Sequence, residues 1–429
     1  MRYPPPISVM FTANRERLLE KLPQDAIVVV HSNDVMPTNA DGVMPFRQNN
    51  DLYYLTGVDQ EETILVLRPG AAEKDDRAVL FVRETSELLA IWEGAKLTKE
   101  QASKQSGIKT VHWTRDFDSV FHRLVPQVDK IYLSTNEHLR AEEVVETRNR
   151  RFIKKCREQY PLHQYRRLSP LMHELRVRKS DVELDYLQEA IEITRHGFER
   201  VLQFMKPGVG EWEVEAEYLH EFVRRRSRGF AYAPIIGSGA NACVLHYIEK
   251  SGLCDDGELV LMDVGAEFGN YNADMTRTIP VNGRFSPRQK AVYQSVLIVM
   301  KHATSLLRPG LKPTDYQNEV LEAMAKELVD LKLLSPKDLR GGEGTRAAVR
   351  KYFMHGTSHH LGLDVHDVSL PDQVFDEQMV LTVEPGIYIP EEGIGIRLEN
   401  NVVIEADGVR DLFEGFPLEV DEIESAMAK

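Results

Sequence analysis

The stretches Glu258–Asp263, ELVLMD, and Tyr271–Val281, YNADMTRTIPV, decide how this chain folds. The first is an apolar run that stops on an acid, the pattern of a buried strand entering a cleft. The second, with Thr276 and Thr278 at alternate positions and Ile279 beside them, predicts a partner strand. Gly269-Asn270 between them suits a two-residue hairpin turn. That register sets Asp263 opposite Thr276, and Asp274, two positions away, falls on the same face. Two carboxylates side by side repel each other unless a cation sits between them. A merely solvated surface hairpin would not need the hydrophobic run that leads into Asp263.

Three further residues extend the pattern. His359 lies in MHGTSHHLGLDVHD (Met354 to Asp367), which holds four of the chain's fourteen histidines. Glu384 ends an apolar run in LTVEPGIYI and precedes the turn pair Pro385-Gly386. Glu399 lies in GIGIRLENNVVI, where Ile396 and Leu398 alternate with Arg397 and Glu399, giving one apolar face and one face with a cation and an acid. Four carboxylates and one imidazole form a hard, oxygen-rich donor set, suited to Mn²⁺, Co²⁺ or Zn²⁺ rather than to a thiolate-loving ion.

At 429 residues the chain is long for a single core and fits two domains. Its net charge of −14 and the lack of a Lys/Arg-rich block beyond a solvated face argue against nucleic acid as a partner. The opening MRYPPPISVM lacks a charged region followed by an apolar one, and no apolar run approaches the roughly 20 residues a bilayer span requires. Membrane association is therefore not expected. Cys156, Cys243 and Cys254 are odd in number and form no C-x-x-C pair, which suits ordinary thiols in a reducing compartment. The expected location is the cytoplasm.

Up to about residue 170, strand runs (Ala26 to His31, Thr63 to Leu67, Ala78 to Val82, Lys130 to Ser134) alternate with helical stretches, an α/β pattern. The basic stretch Arg148 to Arg167, followed by an extended SPLMHELR, is expected to mark the domain boundary. Beyond it, Val182 to Met205 predicts a helix with Leu184, Leu187, Ile191 and Phe198 near one face. Others are expected over Glu211 to Arg226, from Ser286-Pro287 (cap and first position) toward Leu307, and from Thr314 toward Leu331. Helices with acid-bearing antiparallel strands give an α+β second domain.

The order Asp, Asp, His, Glu, Glu with these flanks resembles the pita-bread metallopeptidases, most closely the Xaa-Pro aminopeptidases (aminopeptidase P). The resemblance covers nearly the whole chain. FRQNNDLYYLTG (Phe46 to Gly57) is similar to the family's creatinase-like N-terminal signature. RVRKSDVELDYLQEA (Arg176 to Ala190) resembles the start of the catalytic domain, and IIGSGANACVLHY (Ile235 to Tyr247) resembles the segment that carries a substrate-side histidine, here His246. The fold implied is an α/β creatinase-like N-terminal domain over 1–172 and an α+β pita-bread catalytic domain over 173–429, with a curved antiparallel sheet in pseudo-twofold halves.

The activity implied is release of the N-terminal residue from peptides with proline in the second position, by attack of a hydroxide bridging two divalent metal ions, most readily Mn²⁺. By the same resemblance Asp274 and Glu399 bridge the ions, Asp263 caps one, and His359 and Glu384 bind the other. Glu384 takes the proton of the attacking water and passes it to the leaving nitrogen. Arg397 orients a ligand carboxylate, and His246, His355 and His366 line the cleft on the substrate side. His360, next to the ligand, is expected to pack. Trp92, in AIWEG, resembles an aromatic that closes the substrate pocket in relatives from a neighbouring subunit, in keeping with a homo-oligomer (dimer or tetramer); as a bare feature it belongs in the N-domain core.

A proline imide nitrogen offers no N–H, so its recognition calls for a dedicated site. A prolidase acting on Xaa-Pro dipeptides would share every ligand; Ser358 before the ligand histidine favours aminopeptidase P. A metal-free creatinase-type hydrolase conflicts with the intact five-residue set. A methionine aminopeptidase would lack the N-terminal domain. A non-catalytic pita-bread binding protein would typically have lost ligands.

Overall fold

The computed structural model describes residues 7–138, 140–339 and 341–428. The chain divides into two compact units, the first running to Arg176 and the second beginning at Val177.

The first unit runs α1 (Ser8–Glu20), β1 (Ala26–His31), α2 (Asn50–Thr56), β2 (Ile64–Leu67), β3 (Ala78–Val82) and α3 (Glu87–Glu93). It continues with α4 (Lys99–Ser106), β4 (Thr110–Trp113), α5 (Phe117–Leu124), β5 (Lys130–Leu133), α6 (Arg148–Gln159), β6 (Gln164–Arg167) and α7 (Ser169–Arg176). Its strands form a six-stranded sheet in the order β4-β3-β2-β1-β5-β6. β1–β2 and β2–β3 are antiparallel, while β3–β4, β1–β5 and β5–β6 are parallel. β1 and β2 are buried along their whole lengths, so both faces of the sheet are covered there. Alternation sends Ile27, Val29, Ile64, Val66 and Phe81 into one cluster, which Phe117 and Phe121 of α5 and Phe152 and Cys156 of α6 complete.

The expected α/β pattern is present, with two local corrections. Residues 148–167 do not divide the units: they form α6 and β6 within the first, which runs on to Arg176. Phe152 and Cys156, four residues apart, bury one face of α6, and the dense charge around them obscured that spacing. Ser169–Arg176, expected to be extended, is helical, with Met172, Leu175 and Arg176 turned inward at helical spacing. Trp92 is also misplaced by composition alone. It is 78% exposed on α3, which buries none of its residues, so it is not N-domain core.

The second unit opens with α8 (Asp181–Phe204), α9 (Glu211–Arg224) and β7 (Ile235–Ser238). β8 (Leu259–Val264), β9 (Glu267–Phe268), β10 (Tyr271–Asn272) and β11 (Met275–Pro280) follow, then α10 (Pro287–Leu306), α11 (Pro313–Asp330) and α12 (Gly342–Val349). The chain ends in β12 (Val380–Val383), β13 (Gly386–Ile389), β14 (Ile394–Arg397), β15 (Asn400–Glu405), β16 (Gly408–Asp411) and α13 (Val420–Met427). Local signals set the helix starts. Ser180 and Glu183 form a capping box ahead of α8, and Ser286 caps α10, whose first residue is Pro287.

Strand pairs among the described residues of this unit are antiparallel: β7–β8–β11, β12–β15–β16, β13–β14 and β9–β10. Asp263 lies opposite Thr276, the register read from the sequence. Gly269 and Asn270 join β9 to β10 with φ of +61° and +66°, the left-handed pair a type I′ turn demands. A Cβ on Gly269 would stand 2.2 Å from the Tyr186 ring, so no other residue fits. No helix among the described residues is long and apolar enough to cross a membrane.

Candidate metal centre

Strand ends bring the acids together. Asp263 is the penultimate residue of β8, Asp274 immediately precedes β11, and Glu384 immediately follows β12. Glu399, expected inside one strand, instead sits at the joint between β14 and β15, where its N–H donates to the Thr276 carbonyl at 3.0 Å. That bond ties the two sheets at the site. Asn401 brackets Asp274, donating to its carbonyl at 2.7 Å and accepting from its N–H at 3.1 Å. His359 is fixed by reciprocal bonds with Thr382: its N–H donates to the Thr382 hydroxyl at 3.1 Å, and the Thr382 N–H donates to its carbonyl at 2.9 Å.

The five side chains form one linked cluster. Tyr232 places its hydroxyl 2.5 Å from Asp263 Oδ1 and 2.6 Å from Asp274 Oδ1. A hydroxyl has one proton, so it satisfies one of these oxygens at a time, and the other needs a proton or a cation. His359 Nε2 is 3.5 Å from Asp274 Oδ2 and 3.5 Å from Glu384 Oε1. Ligand atoms of Asp274, His359 and Glu399 all lie within 4.8 Å of one another. The His359 Nδ1 sits 2.9 Å from the His360 carbonyl, which keeps Nδ1 protonated and leaves Nε2 facing the acids.

Burial makes this cluster costly without a counter-charge. Glu399 is 1% exposed. Its Oε2 accepts from Thr276 at 2.7 Å, while its Oε1 has no partner among the described residues. Burial, then the charges of Asp274, Glu384 and Asp263, raise its pKa well above the carboxylate range. Burial likewise raises Asp263 and pushes Glu384 up to about 7. At His359 burial acts downward, but the bond to Asp274 and the charges of Glu384 and Asp274 prevail and hold it at about 9. Each shift records negative charge short of positive partners, the condition a divalent cation relieves. The orphaned Glu399 oxygen fits a metal.

Arg397 supplies part of the missing charge. It donates to Asp263 Oδ2 at 2.6 Å, to the Tyr388 hydroxyl at 2.8 Å and to the Thr276 hydroxyl at 3.1 Å. His355 lies with Nε2 2.8 Å from the Tyr388 hydroxyl and Nδ1 3.8 Å from Glu384 Oε2. Burial, reinforced by Arg397, lowers its pKa to about 4 and keeps it neutral. His366 is exposed and packs its ring 4.2 Å from that of His359. His246 is exposed on the loop after β7, near enough for its charge to be felt at His355. His360 packs edge-on to Phe375.

Sequence reasoning missed Tyr232, Thr276 and Tyr388 as members of this network. Tyr232 had a usable signal. β7 begins at Ile235, directly opposite Asp263, so the residues just before it must run past that acid.

Residues 185–406 match metallopeptidase family M24, and residues 11–132 match the aminopeptidase P N-terminal domain. The Xaa-Pro aminopeptidase of Haemophilus influenzae is 34% identical over 97% of this chain and 96% of its own length. A structure of zinc-substituted E. coli aminopeptidase P in complex with product superposes with a TM-score of 0.88 at 32% identity, covering 98% of both chains. The E. coli enzyme with the inhibitor Pro-Leu gives 0.86 at 33% identity, again over 98% of both. The chain belongs to metallopeptidase family M24, with an aminopeptidase P N-terminal domain ahead of its catalytic domain.

Proposed function

We propose that this chain is an Xaa-Pro aminopeptidase that uses two divalent ions, held by Asp263, Asp274, His359, Glu384 and Glu399, to release the residue before a penultimate proline. The observation that carries this reading is the cluster in which Asp274, His359 and Glu399 bring ligand atoms within 4.8 Å of one another beside Asp263 and Glu384, with one Glu399 oxygen left unpartnered among the described residues. Asp274, His359 and Glu399, whose ligand atoms lie within 4.8 Å of one another, would hold the ions together with Asp263 and Glu384. When bound, the ions supply Lewis acidity, polarising the scissile carbonyl and lowering the pKa of the attacking water.

The chain's own groups do the rest. Glu384 takes a proton from the attacking water and returns it to the proline nitrogen, which becomes the leaving amine. Arg397 and Tyr232 hold Asp263 and Asp274 in place from behind. His246, His355 and His366 are assigned to the peptide side, where an imidazole N–H stabilises the oxyanion.

Finer assignments rest on the same reading. Residues 1–172 serve as the N-terminal domain and 173–429 as the catalytic one. Mn²⁺ suits the oxygen-rich donors. The exposed Leu88, Ile91 and Trp92 of α3 support a homo-oligomer of two or four chains. Unpaired Cys156, Cys243 and Cys254 support a reducing, cytoplasmic setting.

The test uses purified protein loaded with Mn²⁺ and offered Xaa-Pro-Xaa, its N-acetylated form, Xaa-Ala-Xaa and the Xaa-Pro dipeptide. Release of the first residue from the unblocked proline peptide alone is expected. Cleavage of the acetylated peptide contradicts an aminopeptidase, and cleavage of only the dipeptide identifies a prolidase.

A further inference from the structure

The first unit contains a cavity that the peptidase chemistry does not use. It has a volume of about 440 Å³ and lies where the C-terminal end of β1 meets the first turns of α5 and α6. Ligands of α/β sheets bind beyond the carboxyl ends of the strands, and here His31 ends β1 while Thr114 and Arg115 directly follow β4. The floor is aromatic: the His31 ring is 4.4 Å from Phe152 and 5.7 Å from Phe117. The rim is basic, with Arg115, Arg148, Arg151 and Lys155 facing one carboxylate, Asp118.

These cations are unequally committed. Lys155 is held by Asp118 at 2.7 Å, Arg151 by Asp34 at 2.5 Å, and Arg115 by Glu84. The Arg148 guanidinium, half-buried, donates to the Ser32 hydroxyl at 2.9 Å and has no ion-pair partner among the described residues. Beside it, His31 is 4% exposed, and neither ring nitrogen has a hydrogen-bond partner among the described residues. Burial, then the charges of Arg148 and Lys155, bring His31 down to about 3, so it is neutral and offers one N–H and one lone pair.

The Arg148 guanidinium is partly withdrawn from water, feels Glu62 and Asp34 without an ion pair to either, and so is short of a direct anion. One occupant supplies it. An anionic head would take charge-assisted bonds from Arg148, supported by Arg151 and Lys155, and a bond from His31. A planar ring attached to it would pack on Phe117 and Phe152. Arg148, Arg151, Lys155 and His31 converge as several donors, which a phosphate's three terminal oxygens match better than a carboxylate's two.

We propose that this cavity binds a small organic phosphate carrying a planar ring, about the size of a mononucleotide. The test is calorimetric titration of the metal-loaded full-length protein with AMP, adenosine and inorganic phosphate as probes, on the wild type and Arg148→Gln. AMP should bind once per chain, about tenfold or more tighter than either fragment. Arg148→Gln should weaken AMP by about tenfold or more while peptide turnover stays unchanged. Equal affinity for adenosine removes the anion site, and equal affinity for inorganic phosphate removes the ring site. Undiminished AMP binding by Arg148→Gln places the nucleotide elsewhere, on the bound metal for instance, and overturns the proposal, as does no binding at millimolar AMP. If Arg148→Gln does not fold, His31→Phe keeps the stacking and removes the N–H; unchanged AMP affinity there is equally decisive against it.

Discussion

The two units use burial in opposite ways. The centre of the first is β1, β2 and β3, where Ile27, Val29, Val66 and Phe81 pack with Phe117 and Phe152 and stability comes from apolar area removed from water. The centre of the second is a set of carboxylates that repel one another in a nearly dry pocket, with Glu399 1% exposed. One core stabilises the chain by itself. The other is an electrostatic liability until cations arrive, and the surrounding network of Tyr232, Thr276 and Arg397 keeps it assembled in the meantime.

The contrast is broken most severely at Asp274. Asp274→Ala should abolish turnover and remove most bound metal; two metals per chain with near-normal turnover would sink the ligand assignment. In the first unit Phe81→Ala should cost about 3–5 kcal/mol through the cavity it leaves, measured by urea unfolding. It should leave metal per folded chain unchanged. Loss of metal there would mean that the two cores are not energetically separate.

Within the site, His359→Ala should lose both metal and activity. His366→Ala should keep its metal and lose roughly 10²–10³ in kcat, the usual cost of an oxyanion donor. Equal metal loss in both would reassign His366 as a ligand. Tyr232→Phe should cost less, about 10–100-fold in metal affinity or turnover, as expected for a group one bond behind the ligands. An unaffected Tyr232→Phe enzyme would show that the hydroxyl between Asp263 and Asp274 is dispensable.

The smallest expected effect is a pH trend. Glu384 ionises near 7 in the folded, metal-free chain and near its ordinary 4.5 when unfolded. Between those values the folded state binds more protons, so metal-free stability falls as pH rises through this window. Ligation keeps the carboxylate deprotonated and removes that loss. The gap in Tm between metal-loaded and chelated protein should therefore widen from pH 5 to pH 7.5. A gap that narrows would contradict the shift.

Much of this was legible because the decisive signals are local. The strand–turn–strand from Leu259 to Pro280 declares its register through Gly269-Asn270 and its alternation, which is why Asp263 falls opposite Thr276. Capped helices such as α10 announce their starts. What stayed hidden depends on long-range packing. Tyr232 is 31 residues from Asp263 and 42 from Asp274, so it is marked only by the pairing of β7 with β8, a long-range contact. Helix α6 hid its buried Phe152 and Cys156 among charges. Trp92 was assigned by residue type, and the surface of α3 overrides the average tendency of tryptophan. The break between β14 and β15 that places Glu399 arises from the bonds of Leu398 to Pro385 and of Glu399 to Thr276, neither of which alternation predicts.

The most direct test of the central claim is anomalous diffraction at the manganese edge from crystals grown with Mn²⁺. Two peaks per chain are expected, with Asp274 and Glu399 contacting both, Asp263 one, and His359 and Glu384 the other. A single peak, or peaks away from the unpartnered oxygen of Glu399, would contradict it.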